Sequence, residues 1–238
     1  MSIADQLALI RDRVSSAAHR AGRNPDDIAL MAVCKTFPAE AIVEAYTAGQ
    51  RLFGENRVQE FAEKFPDVRT LPDAHFHMIG HLQSNKAAKA VEIFHAVDSI
   101  DSAKLAQRLN DAALKLGKAL DGLIEINVGG EEAKSGLSPD SPEINAILQQ
   151  APRWPNLRIR GLMTVPPFTD DPEGARPYFR ELRELGDSLA ARNYPNVTLD
   201  VLSMGMSHDF EVAIEEGSTC VRIGTAIFGE RPRQTWSR

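Results

Sequence analysis

The feature that most restricts the fold of this chain is a recurrence of short apolar runs separated by segments of helical character. Ile28 to Lys35, Arg51 to Gly54, His75 to Ile79, Ile93 to Val97, Leu123 to Val128, Ile159 to Met163, Leu199 to Leu202 and Cys220 to Ile223 each have strand length, which makes eight. Short runs of this kind suit strands buried on both faces, as parallel sheets require. Between them, Ala39 to Ala48, Ser102 to Leu116, Pro142 to Gln150, Gly174 to Arg192 and His208 to Glu216 have helical character, and the loops are rich in Gly, Pro, Asp and Ser. The alternation predicts a parallel α/β architecture. A doubly wound open sheet would alternate in the same way, and the count of eight favours closure into a (β/α)8 TIM barrel. Ahead of the first strand, Leu7, Ile10, Val14, Ala17, Ala18 and Ala21 recur at helical spacing until Gly22 and Pro25, so an extra N-terminal helix is expected.

At 238 residues, 43% hydrophobic and 25% charged, the chain has the size of one barrel, and no linker or low-complexity stretch divides it. Residues 1–238 are therefore expected to form a single domain. A net charge of -6 without a basic stripe argues against a nucleic-acid partner. No apolar run approaches the roughly 18 residues of a membrane span, and the opening segment mixes charges among its apolar residues, unlike a secretory signal. Cys34 and Cys220 are too few for a disulfide framework and fit a reducing cytoplasm. No hydrophobic stripe stands out as an interface, so a monomer is expected.

Chemistry enters at Lys35. Strand alternation places Met31, Val33 and Lys35 on one face and Leu30, Ala32 and Cys34 on the other. A lysine whose stem packs among apolar barrel residues is disfavoured in its charged form, leaving more neutral amine to attack an aldehyde and form a Schiff base. The plainer reading is a strand-end lysine that snorkels or pairs with a carboxylate. Barrels of this class place their active sites at the C-terminal strand ends, with phosphate sites in the loops after strands seven and eight. Those loops are Ser203-Met204-Gly205-Met206-Ser207 and Gly224-Thr225. Glycines let backbone approach an anion, hydroxyls donate to it, and a helix beginning near Ser207 would add its N-terminal dipole. Ser207 could equally be a helix N-cap. Arg222 alternates onto the face of Cys220 and Gly224 and so points inward, where it needs a phosphate, a cofactor ring nitrogen or an internal carboxylate as acceptor. An arginine at a ring nitrogen would keep that atom unprotonated, a poorer electron sink.

Other constellations fail on geometry. Ser207-His208-Asp209 has the residue types of a hydrolase triad, but neighbours at a helix start cannot form the relay. His75, His77 and His81 lack the helix spacing and cysteine partners of a zinc site, so no metal is expected. Gly130 to Ser135 has Ala133 where a nucleotide loop needs glycine before its lysine.

The segments Ala32-Val33-Cys34-Lys35-Thr36, Phe53-Gly54-Glu55-Asn56-Arg57-Val58-Gln59-Glu60 and His77 to Lys86 resemble the pyridoxal-phosphate homeostasis protein family. So do Asn127 with Glu132, Lys134 and Gly136, and Gly161 to Thr164, Leu202 to Ser207 and Val221 to Gly229, making the resemblance chain-wide. The family's fold is similar to the barrel domain of alanine racemase. The resemblance implies pyridoxal 5′-phosphate as cofactor, with Lys35 as its Schiff-base lysine. It places Ser203, Ser207, Gly224 and Thr225 at or near the phosphate, Arg222 at the ring or phosphate, and Asn56, His77 and Met163 along the pocket. It further implies a carrier in vitamin B6 homeostasis that delivers to apo-enzymes and touches amino-acid metabolism indirectly, with no assigned catalytic residue. The alternative is a slow amino-acid racemase; a metal-dependent aldolase or a cofactor-free barrel is a third reading. Racemases with this barrel carry a further β-domain that supplies a second base, whereas nine residues follow Gly229 here, so efficient racemisation is not expected.

Overall fold

The computed structural model describes residues 1–131 and 134–230. Glu132 of the family motif, Ala133 and the tail 231–238 lie outside the described residues. Strands β1 (Ala29–Val33), β2 (Leu52–Glu55), β3 (His75–Met78), β4 (Ala96–Ile100), β5 (Leu120–Glu125), β6 (Leu157–Met163), β7 (Val197–Ser203) and β8 (Cys220–Ile223) pair in parallel in chain order. β8 returns to β1, with Met31 opposite Arg222, and the barrel closes. Its helices are α1 (Ile3–Arg20), α2 (Ala39–Thr47), α3 (Val58–Val68), α4 (Ala87–Ile93), α5 (Ala103–Lys115), α6 (Pro142–Gln150), α7 (Arg176–Ala190), α8 (Phe210–Glu215) and α9 (Thr225–Phe228).

Strand alternation divides the core into two shells. On the outer face, Phe53 and Phe76 lie in register and stack at 5.4 Å, while Phe61 of α3 sits 4.8 Å from Phe76 and 4.8 Å from Phe94. Burial of each such ring is worth about 1.5–3 kcal/mol, which fixes α3 and α4 against β2 and β3. The inner face carries Met31, Val33 and Leu123, but also His77, Asp98 and Arg222, so the barrel interior is partly polar. Charged groups there must be paired or serve a ligand.

Two strands are displaced from their expected positions. The apolar run Ile93 to Val97 straddles the end of α4 and the start of β4, which continues through buried Asp98 and Ser99. β5 begins at Leu120 and ends at Glu125, and Ile126 to Val128 already belong to the loop, where Ile126 bridges to Leu137. The leading helix forms as expected. Its Ser2–Asp5 capping box starts it, Leu7, Ile10, Val14, Ala17 and Ala18 are its buried face, and Arg13 and Arg20 reach Glu211 at 2.8 and 3.0 Å. It packs on α2, α8 and α9, bracing the wall where first and last strands meet. β7 and β8 share a single registered pair, Ser203 with Cys220.

Candidate functional site

At the C-terminal ends of the strands lies a cavity of about 530 Å³. That volume suits a small organic ligand. Lys35 enters it from the turn after β1, two residues beyond the strand and half-buried. The turn is held from both sides. Cys34 donates its N–H to the Gly54 carbonyl at 3.0 Å, and its own carbonyl accepts from Phe37 N at 3.2 Å and Lys64 Nζ at 3.1 Å. Thr36 takes a φ of 68°, a left-handed conformation that costs energy and marks a sharply defined turn. Lys64 also donates to Glu55 at 2.7 Å, and the Cys34 thiol points at the same carboxylate at 3.3 Å. Glu55 is fully buried, and burial raises its pKa against the pull of Lys64. Burial likewise pushes the Cys34 thiol up, so it is not a nucleophile.

The opposite wall is built by the loops after β7 and β8. Gly205 has a φ of 95°, and a Cβ there would sit 2.6 Å from Ala213 Cβ, so this loop needs glycine to fold tightly onto α8. Asp209 accepts from Met206 N at 2.7 Å, and Ser207 Oγ accepts from Ala226 N at 3.4 Å, which ties the two loops together. α8 starts at Phe210, three residues after Ser207, so Ser207 is not its N-cap and the expected helix dipole does not point from Ser207. The three side chains of Ser207-His208-Asp209 diverge, with the His208 ring on the carbonyls of Thr169 and Asp170.

Arg222 rises from the barrel interior into the same cavity, only 4% exposed. Its guanidinium donates to Ser203 Oγ at 2.8 Å and to the Thr164 carbonyl at 2.7 Å, both neutral acceptors. Burial lowers its pKa from the ordinary arginine value, and the charges of Cys220, Asp98, Asp209 and Glu125 oppose that. A guanidinium has five donors, and an acceptor lodged in the cavity would satisfy those facing it.

The sequence-expected residues divide into two groups. Lys35, Asn56, Ser207, Arg222, Gly224 and Thr225 line one cavity, and Asn56 Oδ1 is buried there without a hydrogen-bond partner. Gly80 locks Asn56 in place, since a Cβ on Gly80 would fall 2.3 Å from the Asn56 carbonyl. Ser203, Met163 and His77 do not line it. Ser203 is buried beneath and holds Arg222, Met163 is fully buried at the end of β6, and His77 faces a separate cavity of about 110 Å³ with Asp98, Asp121 and Arg160. His77 Nδ1 lies 3.2 Å from Asp98; burial opposes the imidazolium, but the carboxylate outweighs it and the His77 pKa is raised.

Sequence reasoning passed over Glu125. It ends β5, is 6% exposed and lines the cavity; Ser135 Oγ donates to Oε1 at 2.8 Å, while Oε2 is buried without a partner. Burial raises its pKa. A lone acid inside Leu123-Ile124-Glu125-Ile126 was the available signal. At the rim, His81 pairs with Asp101 at 3.3 Å.

Residues 6–232 match the sequence profile of the alanine racemase N-terminal domain. The pyridoxal phosphate homeostasis protein of Aquifex aeolicus is 46% identical over 97% of this chain and 99% of its own. The chain belongs to the pyridoxal phosphate homeostasis protein family. Among solved structures, PipY of Synechococcus elongatus is 38% identical, covers 96% of this chain and all of its own, superposes with a TM-score of 0.82, and is known without and with pyridoxal phosphate bound. An alanine racemase of Clostridium difficile shares the fold at 16% identity and a TM-score of 0.71, matching 97% of this chain but 58% of the racemase. Membership of the homeostasis family thus accompanies a barrel common to the racemases.

Proposed function

We propose that this cavity holds pyridoxal 5′-phosphate as a Schiff base on Lys35, and that the protein is a carrier in vitamin B6 homeostasis, not an enzyme. The observation that carries the reading is convergence. Lys35 from β1, the Ser207 and Gly224–Thr225 loops, and a buried Arg222 bonded to neutral oxygens surround one cavity of about 530 Å³. Two hydroxyls and two glycine-bearing loops suit a phosphate, and Arg222 suits the ring nitrogen or a phosphate oxygen. PipY with its bound pyridoxal phosphate supports the same ligand here. When bound, the cofactor supplies a reactive aldehyde carbon and an electron-accepting ring. Six residues are assigned cavity contacts: Lys35, Asn56, Ser207, Arg222, Gly224 and Thr225. Ser203 acts through Arg222, and no cofactor contact is assigned to Met163 or His77.

The carrier role includes delivery to apo-enzymes, with indirect effects on amino-acid metabolism, by a cytoplasmic monomer whose chain is one domain. No helix among the described residues is long and apolar enough to cross a membrane. Borohydride trapping and peptide mapping test the reading. A reduced adduct on Lys35, absent in Lys35→Ala with the far-ultraviolet spectrum unchanged, is expected; an adduct of equal yield in the variant refutes it. Incubation with L-amino acids should yield no more than about one equivalent of D-enantiomer, and sustained turnover would restore the racemase alternative.

A further inference from the structure

The cavity is electrically divided in a way that the carrier reading leaves half-explained. Lys35 and Arg222 stand on the β1 and β8 side together with the phosphate-suited loops. β5 is four strands from β1 in either direction round the closed barrel, so Glu125 faces this group from across the mouth. Its Oε1 is fixed by Ser135, whereas Oε2 is buried and receives no hydrogen bond. An orphaned carboxylate oxygen in a cavity is unfavourable unless a donor, best a cationic one, arrives to use it. Neighbouring groups leave that role open: Arg222 acts on Glu125 through its charge but bonds Ser203 and the Thr164 carbonyl, Lys134 is bonded to Glu131 and to the Pro166 carbonyl, and His81 pairs with Asp101.

We propose that Glu125 is the binding site for the ammonium group of a primary amine, and that an amine seated there unloads the cofactor from Lys35. The proposal rests on the carrier reading above and supplies its release step. The bound ammonium cedes one proton to Glu125, and its nitrogen then bonds to the Schiff-base carbon. The two N–H protons left on that nitrogen pass to the Lys35 nitrogen, the bond from the carbon to Lys35 breaks, and the departing Lys35 amine takes up the proton held by Glu125. One imine replaces another, with no change of oxidation state. A carboxyl whose proton affinity is raised by burial is the stronger base for the first transfer. Unloading by this route would therefore depend on amines that offer at least two transferable N–H bonds.

Two measurements decide it. On unloaded protein, methylammonium chloride should raise the melting temperature relative to matched sodium chloride, and Glu125→Gln, which preserves the acceptor for Ser135, should abolish that difference. On loaded protein, loss of borohydride-trappable adduct from Lys35, taken per loaded molecule, should saturate with methylamine. In Glu125→Gln it should become linear in methylamine and about a hundredfold slower at low amine, the low end for a positioned acid–base group. Trimethylammonium should compete in the wild type without unloading it. Equal rates in wild type and variant, or a linear dependence in both, overturn the proposal. Failure to trap any adduct on Lys35 removes the carrier reading instead, and the methylammonium measurement still decides whether Glu125 binds an ammonium.

Discussion

Lys64→Met tests whether the turn that presents Lys35 is held by a buried ion pair. Lys64 is 14% exposed at its side chain, bonds Glu55 at 2.7 Å and the Cys34 carbonyl at 3.1 Å, and is the only cation within bonding distance of Glu55 among the described residues. Its removal leaves a fully buried carboxylate without its cation, while the Cys34 carbonyl keeps the Phe37 N–H. Breaking a buried pair in this way costs about 3–5 kcal/mol. Partial exposure of Lys64 and proton uptake by Glu55 lower that to about 2–4 kcal/mol near neutral pH. At a shift of roughly 2–4 °C per kcal/mol for a chain of this size, the melting temperature should fall by about 4–16 °C. The loss must depend on pH. The folded-state pKa of Glu55 is raised, so its contribution is fully present below the ordinary carboxylate value and is lost as pH rises through the folded value. Without Lys64 that folded value climbs further, so the difference between variant and wild type should be small at pH 5 and grow toward pH 8. Urea unfolding at both pH values measures it, and adding Glu55→Gln to Lys64→Met should recover most of the loss at pH 8. A loss under about 0.5 kcal/mol, or one equal at both pH values, would show that the pair does not hold the turn.

The phosphate assignment predicts that Ser207→Ala and Thr225→Ala each weaken cofactor retention by about 1.5–3 kcal/mol, one charge-assisted hydrogen bond apiece; equilibrium dialysis reads this, and unchanged affinity in both refutes the assignment. His77, with its pKa raised by Asp98, contributes stability that is complete below the unfolded histidine value near 6.5 and is lost as pH rises through the folded value. His77→Gln should therefore flatten the wild-type decline in melting temperature above about pH 6.5, and parallel profiles would contradict the pairing.

Barrel topology was legible because buried parallel strands leave a strong signature: short apolar runs at regular intervals. Pro142–Gln150 was legible to the residue, since Ser141 caps it and Pro142 opens it. β4 was misplaced for a physical reason. Ile93 and Phe94 are apolar because α4 buries its last turn, while Asp98 and Ser99 are strand residues turned toward a polar interior or a neighbouring loop, so hydrophobicity placed the strand three residues early, catching only Ala96 and Val97 of it. α3 and α4 escape notice because Pro66 interrupts one and the other spans only seven residues. Lys35, the two loops and Arg222 could be found from strand order and alternation. Glu125 could not be separated from an ordinary strand-end acid, because what distinguishes it is an unpartnered oxygen in a shared cavity, a property of three dimensions.

Closure of the barrel by β8 against β1 also orders the site in time during synthesis. Lys35 leaves the ribosome 190 residues before Thr225, an interval of roughly 10–40 s at ordinary elongation rates. Through that interval the nascent lysine has neither Arg222 nor the Gly224–Thr225 loop opposite it. The ligand-holding geometry comes into being only when the last strand joins the first, so occupancy of this cavity is a certificate that the barrel has closed.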